Sequence, residues 1–144
     1  LRRRDRRPRP RQRRPQLRHT GTGALVSTLE TRGPGGADLA FAPDGRSLLL
    51  AALGRSVERW ALPSGPRLLQ VSLPHQPFAV AFSPDGSEFA VGDNAAGVAV
   101  HQSSDGGLVR EYRGAIGSVA NLSFSVDGRL LAASDRYTVP RTRE

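Results

Sequence analysis

The chain has 144 residues, 21 basic side chains that are all Arg, 13 acidic ones and neither Cys nor Met, for a formal charge of +8. The absence of Cys excludes a disulfide framework, a thiolate nucleophile and a cysteine zinc site, and three scattered His argue against a His-only metal site. The longest apolar run, residues 48–53, has six residues where a membrane-spanning helix needs about 20, and no apolar stretch follows the charged N-terminus as it would in a secretory signal.

Residues 1–22 hold ten of the Arg and only Asp5 among the acids, which leaves 11 Arg and 12 acids for residues 23–144. The basic charge therefore belongs to a tail. With Leu1 and Leu17 as its only large apolar residues, the tail cannot bury enough surface to offset the entropy of ordering. A disordered basic tail or linker is expected over residues 1–22. Its Arg could neutralise phosphates of nucleic acid or of an acidic membrane surface, yet it offers no aromatic ring for base stacking. Any nucleic-acid contact is thus expected through this tail alone, and a solvated linker is the plainer reading. A first residue that is not Met, with Arg used to the exclusion of Lys, suggests a GC-rich bacterial source and a chain cut from something longer.

Residues 23–144 are enough for one domain, and the segment 24–31 is read as an extra fourth strand that precedes the first repeat. A repeat follows. Phe41-Ala42-Pro43-Asp44-Gly45, Phe82-Ser83-Pro84-Asp85-Gly86 and Phe124-Ser125-Val126-Asp127-Gly128 recur at spacings of 41 and 42 residues. Each reads as a strand end running into a type I turn, with Asp third and Gly fourth; Pro presets φ at the second position in the first two copies, and Val126 loses that preset in the third. Alternating apolar segments flank each turn: Leu39 and Phe41 before 48–51, Phe78, Val80 and Phe82 before 88–91, and Val119, Leu122 and Phe124 before 130–133. These pairs read as hairpins. Third strands are expected over 56–61 and 97–102, and fourth strands over 67–72 and 108–112, joined by Pro63-Ser64-Gly65-Pro66 and Ser104-Asp105-Gly106-Gly107. No helical periodicity is sustained anywhere, so the domain is expected to be all-β.

With this period and turn motif, the chain resembles the WD-repeat family over about residues 24–139. The resemblance implies a β-propeller of four-stranded antiparallel blades, with repeats near 38–72, 78–112 and 119–139. Trp60 stands at the family's Trp position, with Ala61 after it where the family has Asp, and His101-Gln102 replaces that pair in the second repeat. Arg32, Leu73 and Ala115 replace the family His, while Asp93 and Asp135 are candidates for its turn Asp. The family's buried Asp-His-Ser/Thr-Trp network is therefore not expected, and apolar packing should carry the fold. A ring needs about four blades, or roughly 160 residues, so an open arc of about three blades is expected, with self-association through uncovered blade faces and with the remaining blades in a full-length chain.

The chemistry implied is binding. No Ser stands in a strand-turn-helix nucleophile context for His19, His75 or His101 to serve, and Asp38, Asp93, Asp105 and Asp127 are expected in separate turns as backbone acceptors. If the family layout holds, the loops joining fourth to first and second to third strands share one face, which displays Arg32, Arg55, His75, Gln76, Asn94, Arg113 and Arg136. The expectation is a cytoplasmic, non-catalytic protein-interaction scaffold without catalytic residues, cofactor or metal. The alternative is a ligand-binding or enzymatic propeller of the lactonase or Tol-associated type.

Overall fold

The computed structural model describes residues 14–31, 36–52, 54–114 and 117–136. In chain order the strands are β1 Gln16–Arg18, β2 Leu25–Thr28, β3 Gly36–Phe41, β4 Ser47–Ala52, β5 Ser56–Ala61, β6 Arg67–Ser72, β7 Pro77–Phe82, β8 Glu88–Asp93, β9 Gly97–Gln102, β10 Leu108–Arg113, β11 Ser118–Phe124 and β12 Leu131–Arg136. The described residues contain no helix. Strands β3 to β6 form one antiparallel meander and β7 to β10 a second, while β11 pairs with β12 and β1 with β2. The architecture is a partial β-propeller: two complete four-stranded blades and the inner half of a third.

The repeated turns close as their residue types require. Gly45 N donates to Ala42 O, Gly86 N to Ser83 O and Gly128 N to Ser125 O, each at 2.9 Å, and these glycines adopt φ of 70°, 74° and 72°. That left-handed backbone suits Gly because it has no Cβ to clash. The second copy adds side-chain bonds, with Ser83 Oγ donating to Asp85 Oδ1 at 2.8 Å and accepting from Glu88 N at 3.1 Å. Ser125 repeats both, towards Asp127 at 2.6 Å and from Leu130 N at 3.0 Å. Ala42 cannot. Successive turns also touch one another: a Cβ on Gly86 would lie 3.5 Å from Pro43 Cδ, and one on Gly128 would lie 3.5 Å from Pro84 Cδ. Val126, which replaces Pro in the third copy, is 96% exposed.

The second strands β4 and β8 bury both faces, because each is covered on two sides. Leu49, Ala51 and Val57 pack against Val80, Phe89 and Val91 of the second blade. The opposite face of that blade places Ala79, Ala90, Val98 and Val100 around Val119, with Leu122, Phe124 and Leu131 of the third sheet beside them. Truncating a side chain as fully enclosed as Leu49 or Phe89 to Ala would cost about 2–5 kcal/mol. Gly92 sets the distance between the second and third sheets, since a Cβ there would meet Val119 Cγ1 at 2.4 Å.

The N-terminal side corrects two expectations. Residues 14–22 do not belong to a structureless tail, and β2 is not a lone fourth strand of a preceding blade. Instead β1 and β2 form a hairpin, closed by Gly23 N donating to His19 O at 2.8 Å, and Leu29 N reaches back to Pro15 O at 2.9 Å. The physical reason is apolar: Leu29 is buried with Leu48 and Trp60, and Leu17 and Leu62 pack on the same cluster. An ion pair between Arg14 and Glu30 spans the hairpin. Its cluster reaches Leu48 of β4 and Trp60 of β5, while Leu39 and Phe41 of β3 stay 47% and 62% exposed. Residues 1–13 of the expected tail and residues 137–144, which include the last three of the expected third repeat, lie outside the described residues.

Trp60 is a core residue, and its partner was not foreseen. Its Nε1 donates to Glu58 Oε2 at 2.9 Å, while Arg67 approaches Glu58 Oε1 at 3.5 Å; the Glu58 side chain is only 3% exposed. A carboxylate this buried requires such partners. Asp38 is also corrected: it lies in β3 rather than a turn, and it bridges blades, accepting from its neighbour Leu39 N at 2.9 Å and from Val80 N at 3.0 Å.

Two substitutions check this packing. Gly92→Ala forces apart the second and third sheets and should cost about 1–3 kcal/mol in urea unfolding. Ala42→Ser should restore the missing turn bonds and add about 0.5–1.5 kcal/mol; an unchanged urea midpoint would contradict the role given to Ser83 and Ser125.

Candidate functional site

The strand register brings one end of every blade to a common face: the ends of β4, β8 and β12, the starts of β5 and β9, the ends of β6 and β10, and the starts of β7 and β11. Arg55 sits in the β4–β5 turn, His75 and Gln76 precede β7, Asn94 is in the β8–β9 turn and Arg113 ends β10 opposite Gly97. Arg136 ends β12 opposite Ser118, and Arg32 lies outside the described residues.

Backbone bonds join these turns into a continuous ridge. Leu73 N donates to Arg55 O at 2.7 Å, and Asn94 N donates to Gln76 O at 3.0 Å. Gln76 is the keystone rather than a free contact. Its Nε2 donates to Ala52 O at 3.0 Å and Pro77 O at 3.2 Å, and its Oε1 accepts from Gly54 N at 3.2 Å. It is half-buried and fastens the first blade's turn to the second blade. Asp93 shapes the neighbouring turn, accepting from Ala95 N at 2.8 Å and Gly97 N at 2.9 Å. That makes Asp93 a turn Asp in the structure; Asp135 occupies the matching place opposite Val119.

Two non-glycine residues on the ridge have left-handed backbone, Arg55 at φ 62° and Ala96 at φ 61°. Such a conformation costs an L-residue about 1–2 kcal/mol. For Arg55 the result is an exposed cation at the crest of a turn whose carbonyl and neighbouring amide are both tied down. Arg55, Asn94 and Arg113 are exposed and His75 is half-buried.

Beside the ridge, a cleft of about 290 Å³ runs between β6 and the outer strands of the second blade, bordered by Val71, His75, Asp93, His101, Leu108 and Glu111. His101 is a packed residue there: it is 5% exposed, stacks on Phe89 with ring centroids 5.3 Å apart, and donates from Nδ1 to Gly106 O at 2.9 Å. Arg59 crosses the same interface from β5, donating to Ser103 O at 2.6 Å. His19 lies at the hairpin turn, remote in sequence and fold from both. Among the described residues no group of three His, Asp or Glu side chains could hold a metal ion, and there is no helix long and apolar enough to cross a membrane.

The repeated turns occupy the opposite end. There Asp85 is held below the ordinary carboxylate value of 3.8, first by the Ser87 N–H and then by the Ser87 and Ser83 hydroxyls. Asp127 is lowered likewise, first by the Ser125 hydroxyl and then by the Arg129 N–H. Hydrogen bonds to the charged form are the cause in both. Neither a protein-family model nor a curated protein matches the sequence.

A carboxyl whose folded value is depressed contributes stability that is complete above its unfolded value and is lost as pH falls through the folded one. Stability should therefore decline below about pH 4, and the paired change Asp85→Asn with Asp127→Asn should flatten that acid limb. Urea midpoints between roughly pH 5 and pH 2 read this out; an equally steep limb in the paired variant would refute the assignment.

Proposed function

We propose that this chain is an arc of a bacterial WD-repeat-like propeller that works in the cytoplasm as a non-catalytic protein-interaction scaffold, with the turn ridge as its contact surface. The observation that carries the reading is Arg55: an exposed charged residue is held in left-handed backbone where Gly would be easier, on a turn fixed by Leu73 and Gln76. Backbone cost at an exposed position is a pointer to function. A rigid ridge also lowers the ordering entropy that a partner's binding must offset. Asn94 and Arg113 extend the same surface, His75 stands beside them, and Arg136 places the third sheet's end in line with it. The partner chemistry that suits exposed guanidinium groups is an acidic protein segment, which Arg can engage through paired hydrogen bonds.

The enzymatic alternative would draw on the cleft between the first two blades, where His75, Asp93 and Glu111 border one space. His101 gives it no support, since its ring is committed to Phe89 and Gly106. Nucleic-acid binding through the basic tail is a separate reading, and eight of that tail's ten Arg lie outside the described residues.

Crosslinking pull-down from the source cytoplasm, with the full chain as bait, tests the scaffold reading. Arg55→Glu with Arg113→Glu should reduce recovery of a specific partner by about tenfold or more, as expected for lost anchor residues. Arg129→Glu at the opposite end should leave recovery unchanged. Equal loss from both variants, or retention in both, would sink the ridge as the contact surface.

A further inference from the structure

The cleft between the first two blades has complete walls, because every residue from 54 to 114 is described and all its bordering residues fall within that span. Val71 of β6 forms one wall, and Val91, Ala99 and Leu108 of the second blade form the other. The walls converge at Gly106, where a Cβ would meet Val71 Cγ2 at 2.4 Å. Two sheets in contact at one end of a space of about 290 Å³ leave a slot, which suits an unbranched chain. No Arg borders it. Its ionisable side chains are two carboxyls, Asp93 and Glu111, and two imidazoles, His75 and His101. Among the described residues neither Glu111 nor His75 has a hydrogen bond or an ion pair, and Arg113, two residues from Glu111 on the same strand, joins neither acid. Asp93 uses Oδ1 alone, for the amides of its own turn. His101 is 5% exposed and shares a face of the second blade with its strand partner Phe89, which packs towards the first blade. With Nδ1 donating to Gly106 O, its Nε2 is an acceptor, buried and without a partner. Buried acceptors are normally met by a donor.

We infer that this slot binds a linear α,ω-diamine, a hydrocarbon stem with an ammonium at each end, and holds it without transforming it. The inference is independent of the ridge as a contact surface. Apolar walls receive the stem, as in small-molecule pockets generally, and the few polar groups fix its ends. Those groups are acceptors, so the matching ligand is rich in N–H donors. The strand register sets its length. Glu111 stands opposite Ala99 and Ala99 opposite Val91, while Asp93 lies two residues beyond Val91 on the same face. Two strand spacings of about 4.8 Å and two residue rises of about 3.3 Å separate the backbones of the two acids by roughly 12 Å. An ammonium sits about 2.8 Å from a carboxylate oxygen, which leaves about 6 Å between the two nitrogens. At about 1.2 Å of advance per bond in an extended chain, four or five methylenes fill that span. His101 Nε2 is a third acceptor for the same N–H groups. The whole chain carries a formal charge of +8, so its overall field repels a dication and any attraction is local to the slot.

The test is a titration of the full chain with 1,5-diaminopentane, followed through the NMR shifts of its amides and imidazole nitrogens. Saturable changes should be confined to residues 71–75, 91–93, 99–101 and 106–111, and the His101 Nε2 resonance should move as that of a nitrogen that has gained a donor. Pentylamine lacks the second ammonium and Glu111→Gln lacks the carboxylate that would meet it; each should weaken binding by about fivefold, the scale of an exposed ion pair. The uncharged 1,5-pentanediol should not bind. Glu30→Gln, which removes an exposed acid on the β1–β2 hairpin, should change nothing. Glu111 is exposed and has no partner among the described residues, so its variant should fold as the parent chain does, and unchanged amide shifts before titration check this. Equal affinity for pentylamine and the diamine would overturn the two-ended site. Full binding to Glu111→Gln, an unmoved His101 Nε2, shifts scattered over acidic residues elsewhere, or no saturation would each overturn the inference as well. None of these results bears on partner capture by the Arg55 ridge, which is read separately.

Discussion

Everything in this molecule depends on one constraint: a blade is a thin sheet with two apolar faces and cannot bury both by itself. Ser47–Ala52 of β4 is buried at every position, which a sheet with one wet face would not allow. Leu49 and Ala51 on one face are covered by the second blade, and Leu48 on the other by the side chains that the hairpin of β1 and β2 brings with it. The hairpin is a substitute neighbour. It explains why Leu17, in a stretch otherwise too polar to fold, is drawn onto Leu48 and Trp60.

The fold was readable because its signal is repeated. The bounds of β5, β6 and β9 match the segments expected from alternation, and the repeated Asp-Gly turns located the tips between the first and second strands of all three repeats. The hairpin of β1 and β2 was not readable, because its stability comes from a surface made elsewhere in the chain; charge and composition describe only the segment itself. Asp38 was misplaced for a related reason. An Asp near Gly reads as turn material, whereas here its carboxylate meets the amide of Val80, which is 42 residues away.

The polar contacts follow the same logic. Where the family it resembles has an Asp-His-Ser/Thr-Trp network, the described residues use unlike devices: Glu58 with Trp60 and Arg67 inside the first blade, and Asp38, Arg59 and Gln76 between the first and second. None recurs at the matching position of the next repeat, so periodicity could not reveal them. The surface face was legible as a set of loops, yet the sequence could not separate its members. Gln76 looked like Asn94, an amide in a loop, and only the geometry distinguishes a brace from an exposed contact.

The stacking of Pro43 beside Gly86, and of Pro84 beside Gly128, makes the contact between repeats head-to-tail: each unit presents a ring on one side and a bare backbone on the other. A unit of this kind carries both halves of its own interface. Tandem duplication of the gene segment would therefore create a matched neighbour at once, with no compensating mutation, and the array could lengthen by copying long before selection refined any single copy.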